Sequence, residues 1–116
     1  GMDEISISGI THAARLQNGV ITEYEIDPEV YGIKRAPFES ILGGDAELNA
    51  QILRNVLSGK ATREQSDIVR INAAAALLAD GMARDMQEGF AMVDDAIGSG
   101  KAAAKLQQIV EVSSKL

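Results

Sequence analysis

No cysteine occurs anywhere in the 116 residues, which excludes disulfides, thiolate nucleophiles, iron–sulfur clusters and cysteine-held zinc. A single histidine, His12, rules out multi-histidine metal centres and leaves little from which to build a nucleophile–base triad. Tryptophan is missing, and the aromatic side chains are confined to Tyr24, Tyr31, Phe38 and Phe90. Long apolar runs are missing too. The longest, Ala73 to Ala79, falls far short of the ~20 residues that a membrane-spanning helix needs. Charge of one sign is in short supply: 11 Lys and Arg stand against 17 Asp and Glu, for a net charge of −6. With no basic run to release phosphate counterions, a nucleic-acid partner is not expected. No charged, apolar, small-residue leader opens the chain, so neither a signal peptide nor a membrane partner is expected. A reducing, cytoplasmic setting fits these absences.

What the chain does have is the balance of a soluble globular domain, 46% apolar and 24% charged. Alanine is abundant, above all in Ala73 to Ala76 and Ala102 to Ala104. Small side chains let helix backbones approach closely but bury little area each. A chain of this size can hide roughly two thirds of its extended surface, so a core is expected, and a thin one.

The first third reads as strand and the rest as helix, an α/β pattern. Ile5 and Ile7 alternate with serines in Asp3-Glu4-Ile5-Ser6-Ile7-Ser8-Gly9, the period of a short strand. Two further extended runs, His12 to Gln17 and Val20 to Ile26, meet across Asn18-Gly19, the strongest short-range hairpin signal. A two-residue loop sets Leu16 against Ile21, Arg15 against Thr22 and His12 against Glu25. Neither face comes out cleanly apolar, which leaves a shifted register or a bulge open. Asp27-Pro28-Glu29 reads as a turn or helix start, and residues 32–44, with Pro37 and three glycines, as a loop with about one helical turn.

Four helices are predicted to follow. The first runs from Asp45 to Ser58, with Leu48, Ile52, Leu53, Val56 and Leu57 on one side and Gly59 as its stop. The second opens on the capping box Thr62-Arg63-Glu64-Gln65 and carries Ile68, Ile71, Ala75 and Leu78 towards Gly81. The third starts near Asp85, with Glu88 three residues on, and offers Met86, Phe90, Val93 and Ile97 before Gly98-Ser99-Gly100. The fourth spans Lys101 to about Ser114 with Ala102, Leu106, Ile109 and Val110. Residues 1–116 thus read as one unit, with strand, hairpin and loop over 1–44 and helices over 45–116. A lone hairpin is marginal in water, and a parallel strand needs a crossover helix before it. The sheet is therefore entered partway, as in the tail of a larger α/β protein.

Few residues suggest chemistry. Asp3 and Glu4 are adjacent carboxylates at the edge of the first predicted strand, of the kind that can hold Mg²⁺; by spacing alone they equally decorate a frayed terminus. Gly43-Gly44-Asp45 before a helix invites an anion-site reading, but Asp45 is itself an N-cap and would repel a phosphate. His12 reads as an edge residue of the hairpin. Asp94 and Asp95 are neighbours on a helix, point apart, and read as a solvated face. Asn72, polar within an Ala-rich helix, reads as structural, either a buried hydrogen-bonding anchor or the edge of the apolar stripe.

The wording of the segments adds what composition cannot. Gly1-Met2-Asp3-Glu4-Ile5-Ser6-Ile7-Ser8-Gly9 resembles the Gly-x-Asp-Glu-Ile-Ser segment of the anthranilate phosphoribosyltransferases. The likeness continues through Glu23-Tyr24-Glu25-Ile26-Asp27-Pro28-Glu29 and Gly43-Gly44-Asp45-Ala46-Glu47-Leu48-Asn49-Ala50. It extends through Ile52-Leu53-Arg54-Asn55-Val56-Leu57-Ser58-Gly59 to Ile71-Asn72-Ala73-Ala74-Ala75-Ala76-Leu77, in the family's order. The resemblance implies a C-terminal part of such an enzyme, of the nucleoside phosphorylase/phosphoribosyltransferase α/β type. It also implies phosphoribosyl transfer from phosphoribosyl pyrophosphate to anthranilate, in tryptophan biosynthesis. By the same resemblance, Asp3 and Glu4 are ligands of Mg²⁺ beside the pyrophosphate. The family's Gly-Thr-Gly-Gly-Asp phosphate loop lies upstream and has no counterpart here. Gly43-Gly44-Asp45 aligns with a different, structural segment. The 116 residues alone are therefore expected to be inactive, with the missing N-terminal part or a second copy as the protein partner. Two other readings compete: a non-catalytic helical interaction or oligomerisation module, and a pyrimidine nucleoside phosphorylase-like fragment, which lacks the support of the Asp-Glu-Ile-Ser succession.

Overall fold

The computed structural model describes residues 2–116; Gly1, the first residue of the Asp-Glu-Ile-Ser segment, lies outside them. An antiparallel hairpin of β1 (Thr11–Gln17) and β2 (Val20–Ile26) leads, and four helices follow: α1 (Ala46–Leu57), α2 (Arg63–Asp80), α3 (Met86–Gly98) and α4 (Lys101–Ser113). Two single 3-10 turns, Pro28–Tyr31 and Phe38–Ile41, punctuate the loop between hairpin and helices.

The hairpin has the simple register, with Leu16 opposite Ile21, Arg15 opposite Thr22 and His12 opposite Glu25, and no bulge. Asn18 and Gly19 make this tight turn by taking φ of 52° and 77°, the left-handed pair that matches the twist of the strands. Alternate residues Thr11, Ala13 and Arg15 turn partly inward, while His12, Ala14 and Leu16 face out. The far end is exposed on both faces: Leu16, Val20 and Ile21 keep 70%, 61% and 69% of their surface. That explains why neither face reads as cleanly apolar. Only the base of the hairpin is packed, through the buried Ile26.

The helix boundaries follow from local chemistry. Asp45 accepts from the backbone N–H of Leu48 (2.9 Å) and Asp85 from that of Glu88 (2.8 Å). Thr62 and Gln65 form the reciprocal capping box, so three of the four orphaned helix starts find side-chain acceptors. α4 follows Gly100 with no side-chain cap.

The core lies where α2 and α3 pack together and receive the loop segments. Ile71 and Ala74 of α2 meet Met86, Phe90 and Val93 of α3, with Ile7, Ile26, Ile33 and Ala36 closing over them. Gly89 is where the two helices touch most closely. A Cβ built there would stand 2.8 Å from the carbonyl oxygen of Ala74, so the spacing is set by a small residue on each side. Along the edge of the same interface, Arg70 donates to both carboxylate oxygens of Asp94 (2.6 and 2.8 Å) and to Asp67 (3.0 Å), with its guanidinium 5.2 Å from the centre of the Phe90 ring. Hydrogen bonding to Asp94 outweighs the opposing effect of burial and raises the Arg70 pKa. The sequence predicts a solvated Asp94–Asp95 face. The structure divides the pair: Asp95 stays exposed near Lys101 (3.8 Å), while Asp94 ties α3 to α2. Helix periodicity places Asp94 outward but says nothing of an arginine arriving from another helix.

A strand over Ile5–Ser8 is also predicted, and none forms. The described residues contain a single two-stranded sheet, and the backbone groups of this segment are taken up otherwise. Ile5 bonds to the side chain of Asn72, Ser6 N–H donates to Thr11 Oγ1 (3.1 Å), the Ile7 carbonyl accepts from Ala36 N–H (3.2 Å), and Ser8 N–H donates to Ser6 Oγ (2.9 Å). The segment is irregular, bending at Ile7–Ser8, and is held by these side-chain and loop contacts with no neighbouring strand paired to it among the described residues.

Outside the core, packing thins. α1 buries only Val56 and α4 buries nothing. The radius of gyration, 15.2 Å, exceeds the roughly 13 Å of a compact chain of about 100 residues, because the hairpin and these two helices project.

Two expectations follow from the packing. Gly89→Ala should destabilise the fold by about 1–3 kcal/mol despite the better helix propensity of alanine, because the new methyl meets backbone and neither helix can yield without moving the other; urea unfolding measures it, and unchanged or raised stability would refute the close approach. Glu64, in the first turn of α2, has its carboxyl held below the usual 4.5, chiefly by its own backbone N–H. A depressed folded-state pKa adds stability above the ordinary value and loses it as the pH falls through the folded one. Glu64→Gln should therefore lower stability near neutrality and flatten part of the acid limb in melts below pH 4.5.

Candidate functional site

Asp3 and Glu4 are exposed at one end of the molecule, on the segment that precedes the buried Ile7. Three features hold that segment. Ile7 is wholly buried against the α2–α3 core and acts as its plug. The Ser6 and Ile7 backbones are tied to Thr11 and Ala36. Upstream, the carboxamide of Asn72 spans 67 residues of sequence to bracket Ile5: its Oδ1 accepts from Ile5 N–H (2.8 Å) and its Nδ2 donates to Ile5 C=O (2.9 Å). Nδ2 also donates to the Ile68 carbonyl one turn back in α2 (2.9 Å), so the orientation of the amide is fixed by its own helix. A flipped amide would set a donor against the Ile5 N–H and an acceptor against two carbonyls.

The carboxylates border an open depression of about 910 Å³, lined also by Ser6, Ser8, Thr11, His12 and Phe38. Among the described residues, neither Asp3 nor Glu4 takes part in an ion pair; His12 pairs across the hairpin with Glu25 (3.5 Å) instead. No group of three or more His, Asp or Glu able to enclose a metal ion occurs among those residues. Two free carboxylates with hydroxyl oxygens nearby do not make a closed protein cage. They are a donor set of the kind Mg²⁺ accepts, since it keeps several waters and takes one or two carboxylates together with substrate phosphate oxygens.

The other candidates fall to structural roles. Asp45 spends its carboxylate on the α1 N-terminus, and Asn49 clamps Gly44 by accepting from its N–H (2.9 Å) and donating to its C=O (3.0 Å). Gly43-Gly44-Asp45 is thus a helix entry, and its N-terminal donors face an anion already in place. Asn72 is the hydrogen-bonding anchor of the two alternatives weighed for it. What the sequence misses is its partner: nothing in local spacing links it to the acidic pair. Thr11, His12 and Phe38 are likewise missed as neighbours of the pair; the first two lie a short way along the chain from it, while nothing local points to Phe38.

No helix in the described residues is long and apolar enough to cross a membrane. The anthranilate phosphoribosyltransferase of Rhodopseudomonas palustris strain TIE-1 is 46% identical over 114 residues, covering 98% of this chain and 33% of the relative. That of Rubrobacter xylanophilus is 43% identical over 116 residues, covering 100% and 34%. The chain therefore spans about a third of the length of the curated relatives it matches. The crystal structure of the anthranilate phosphoribosyltransferase from Thermus thermophilus superposes with a TM-score of 0.84 at 32% identity, over 96% of this chain and 32% of that one. The Saccharomyces cerevisiae enzyme, in complex with 4-fluoroanthranilate, gives 0.88 over 100% and 34%; at 24% identity it speaks for the fold alone. The family model described as "Glycosyl transferase family, a/b domain" matches residues 1–103, from the acidic segment through the hairpin and α1 to α3, and the chain belongs to that family.

Proposed function

We propose that this chain is the C-terminal portion of an anthranilate phosphoribosyltransferase and contributes Asp3 and Glu4 to the site for phosphoribosyl pyrophosphate. One observation carries the reading: the two carboxylates are exposed and take no ion-pair partner among the described residues, yet adjoin a braced backbone at the mouth of an open depression. In the reaction, the amine nitrogen of anthranilate bonds to C1 of the ribose, the bond from C1 to the pyrophosphate oxygen breaks, and a proton leaves the nitrogen. Mg²⁺ bound at the acidic pair would supply positive charge against the departing pyrophosphate. Asp3 and Glu4 hold the cation through oxygen, and the brace behind them limits where it can stand.

The sequence holds no Gly-Thr-Gly-Gly-Asp phosphate loop. The chain by itself is proposed to bind without turning over, and its partner to be the rest of such an enzyme, in a cytoplasmic setting. Titrating the chain with Mn²⁺ in the presence of phosphoribosyl pyrophosphate, followed by water-proton relaxation, should show saturable binding but no transfer to anthranilate. Asp3→Asn together with Glu4→Gln should abolish that binding with the circular dichroism unchanged. Equal binding by the double variant would overturn the reading.

A second reading, a non-catalytic association module, draws on the exposed Leu16, Val20 and Ile21 at the hairpin tip and Ile109 and Val112 on α4. Apolar surface of that kind favours self-association when nothing covers it. Sedimentation equilibrium should then show a dimer or larger species that Ile21→Lys disperses; a monomer at high concentration counts against it.

A further inference from the structure

Asn72 braces the backbone immediately next to the acidic pair, and peptide geometry gives that contact more reach than its distances suggest. The Glu4 Cα, C and O atoms share one rigid plane with the N, H and Cα of Ile5. An acceptor fixed against Ile5 N–H therefore orients the carbonyl and Cα of Glu4 as well. A donor fixed against Ile5 C=O orients the next plane, towards Ser6. With both planes held, φ and ψ of Ile5 are fixed and the Glu4 Cα is placed; the remaining freedom at Glu4 lies in its own φ and ψ and its side chain. Asp3 is one peptide further on.

The brace also has a rigid base. Asn72 lies between the wholly buried Ile71 and Ala73, which packs against the core, and its Nδ2 is anchored to Ile68 C=O. The α2–α3 interface is thereby coupled to the position of the carboxylates, although no residue of α2 is among the lining of the depression.

We infer that Asn72 is a positioning residue for the Asp3–Glu4 pair: its bracket on Ile5 sets the affinity of the pair for a divalent cation and pyrophosphate. The inference rests on the metal-binding reading of the pair and goes beyond it by assigning the control to α2. Losing such a supporting contact typically costs roughly 10- to 100-fold in metal affinity.

The test uses the full 116-residue chain, with Mn²⁺ and inorganic pyrophosphate as probes. Two readouts accompany the affinity: hydrogen exchange at the Ile5 amide, and paramagnetic broadening of the Asp3 and Glu4 amide signals. In Asn72→Ala, Mn²⁺ binding should weaken roughly 10-fold or more, Ile5 exchange should speed up, and the broadening should spread beyond the two acidic residues. Asn72→Ser is the second variant. Its hydroxyl can still bond to the Ile68 carbonyl but does not reach Ile5, so α2 is spared and only the bracket is lost. It should weaken binding as Asn72→Ala does, and it carries the test if the alanine variant fails to fold. A folded Asn72→Ser protein with unaltered Mn²⁺ affinity overturns the inference while leaving the metal-binding reading intact. No binding of Mn²⁺ by the unaltered chain removes both.

Discussion

The arrangement of this chain depends on one side-chain amide bracketing one distant residue. Asn72 satisfies both backbone groups of Ile5 and so does the work that a neighbouring strand would otherwise do. Two such bonds are worth about 1 kcal/mol each in net terms, a modest contribution to stability. Their geometric effect is larger. They decide that the chain enters the core from one direction, that Ile7 becomes the plug of the α2–α3 interface, and that the acidic pair faces outward. Asn49 repeats the device on Gly44 at the start of α1. Asparagine suits both places because its short side chain offers a donor and an acceptor in one plane, matched to the N–H and C=O of a single residue.

Behind the bracket stands a core whose tolerance is small. With few aromatic residues, its bulk comes from aliphatic side chains such as Ile7, Ile33 and Ile71, joined to a close approach of two helices. Gly89 against Ala74 brings the backbones of α2 and α3 together, and the Arg70–Asp94 pair is stretched along the edge of the contact. Phe90 is the exception in size, and it is met from three sides, by the Arg70 guanidinium, by the Tyr31 ring at 5.4 Å between centres, and by the aliphatic core. Burial there also raises the Tyr31 pKa, with a smaller contribution from Tyr24. A shift of α2 would therefore be felt both at Ile5, through Asn72, and at Asp94, through Arg70.

Much of this was legible in the sequence because it is local. The Asn18-Gly19 turn, the capping box at Thr62, the N-caps at Asp45 and Asp85 and the helix break at Gly98-Ser99-Gly100 each depend on residues within a few positions of one another, and the structure places them accordingly. The segment at Ile5–Ser8 misled for the same reason. Its alternation is real, and it does separate the buried Ile7 from more exposed neighbours, but alternation reports exposure and not who satisfies the backbone. A strand and a bent segment tied by side chains share one pattern. Asp94 misled in parallel: the helical period fixes its direction, while its arginine comes from another helix. The acidic pair could be noticed by composition, but its brace could not, because the contact joins residues 67 positions apart.

That separation bears on how a site can be shared between parts of a protein. The chain matches about a third of the length of its relatives, yet it holds its own ties on the segment that follows Asp3 and Glu4: Asn72 on Ile5, Thr11 on Ser6, Ala36 on Ile7, and the Ile7 plug. A carboxylate pair on an unbraced segment would have to be ordered by whatever it meets, and the entropy of that ordering would oppose binding. Here the ordering is done by folding, before any ligand arrives. The depression beside the pair takes no part of its lining from α2, so further groups can reach the carboxylates without displacing the brace. Preorganisation and access are thus assigned to different surroundings of the same short segment, so that one stretch of chain can brace a carboxylate pair while its open side stays free for other groups.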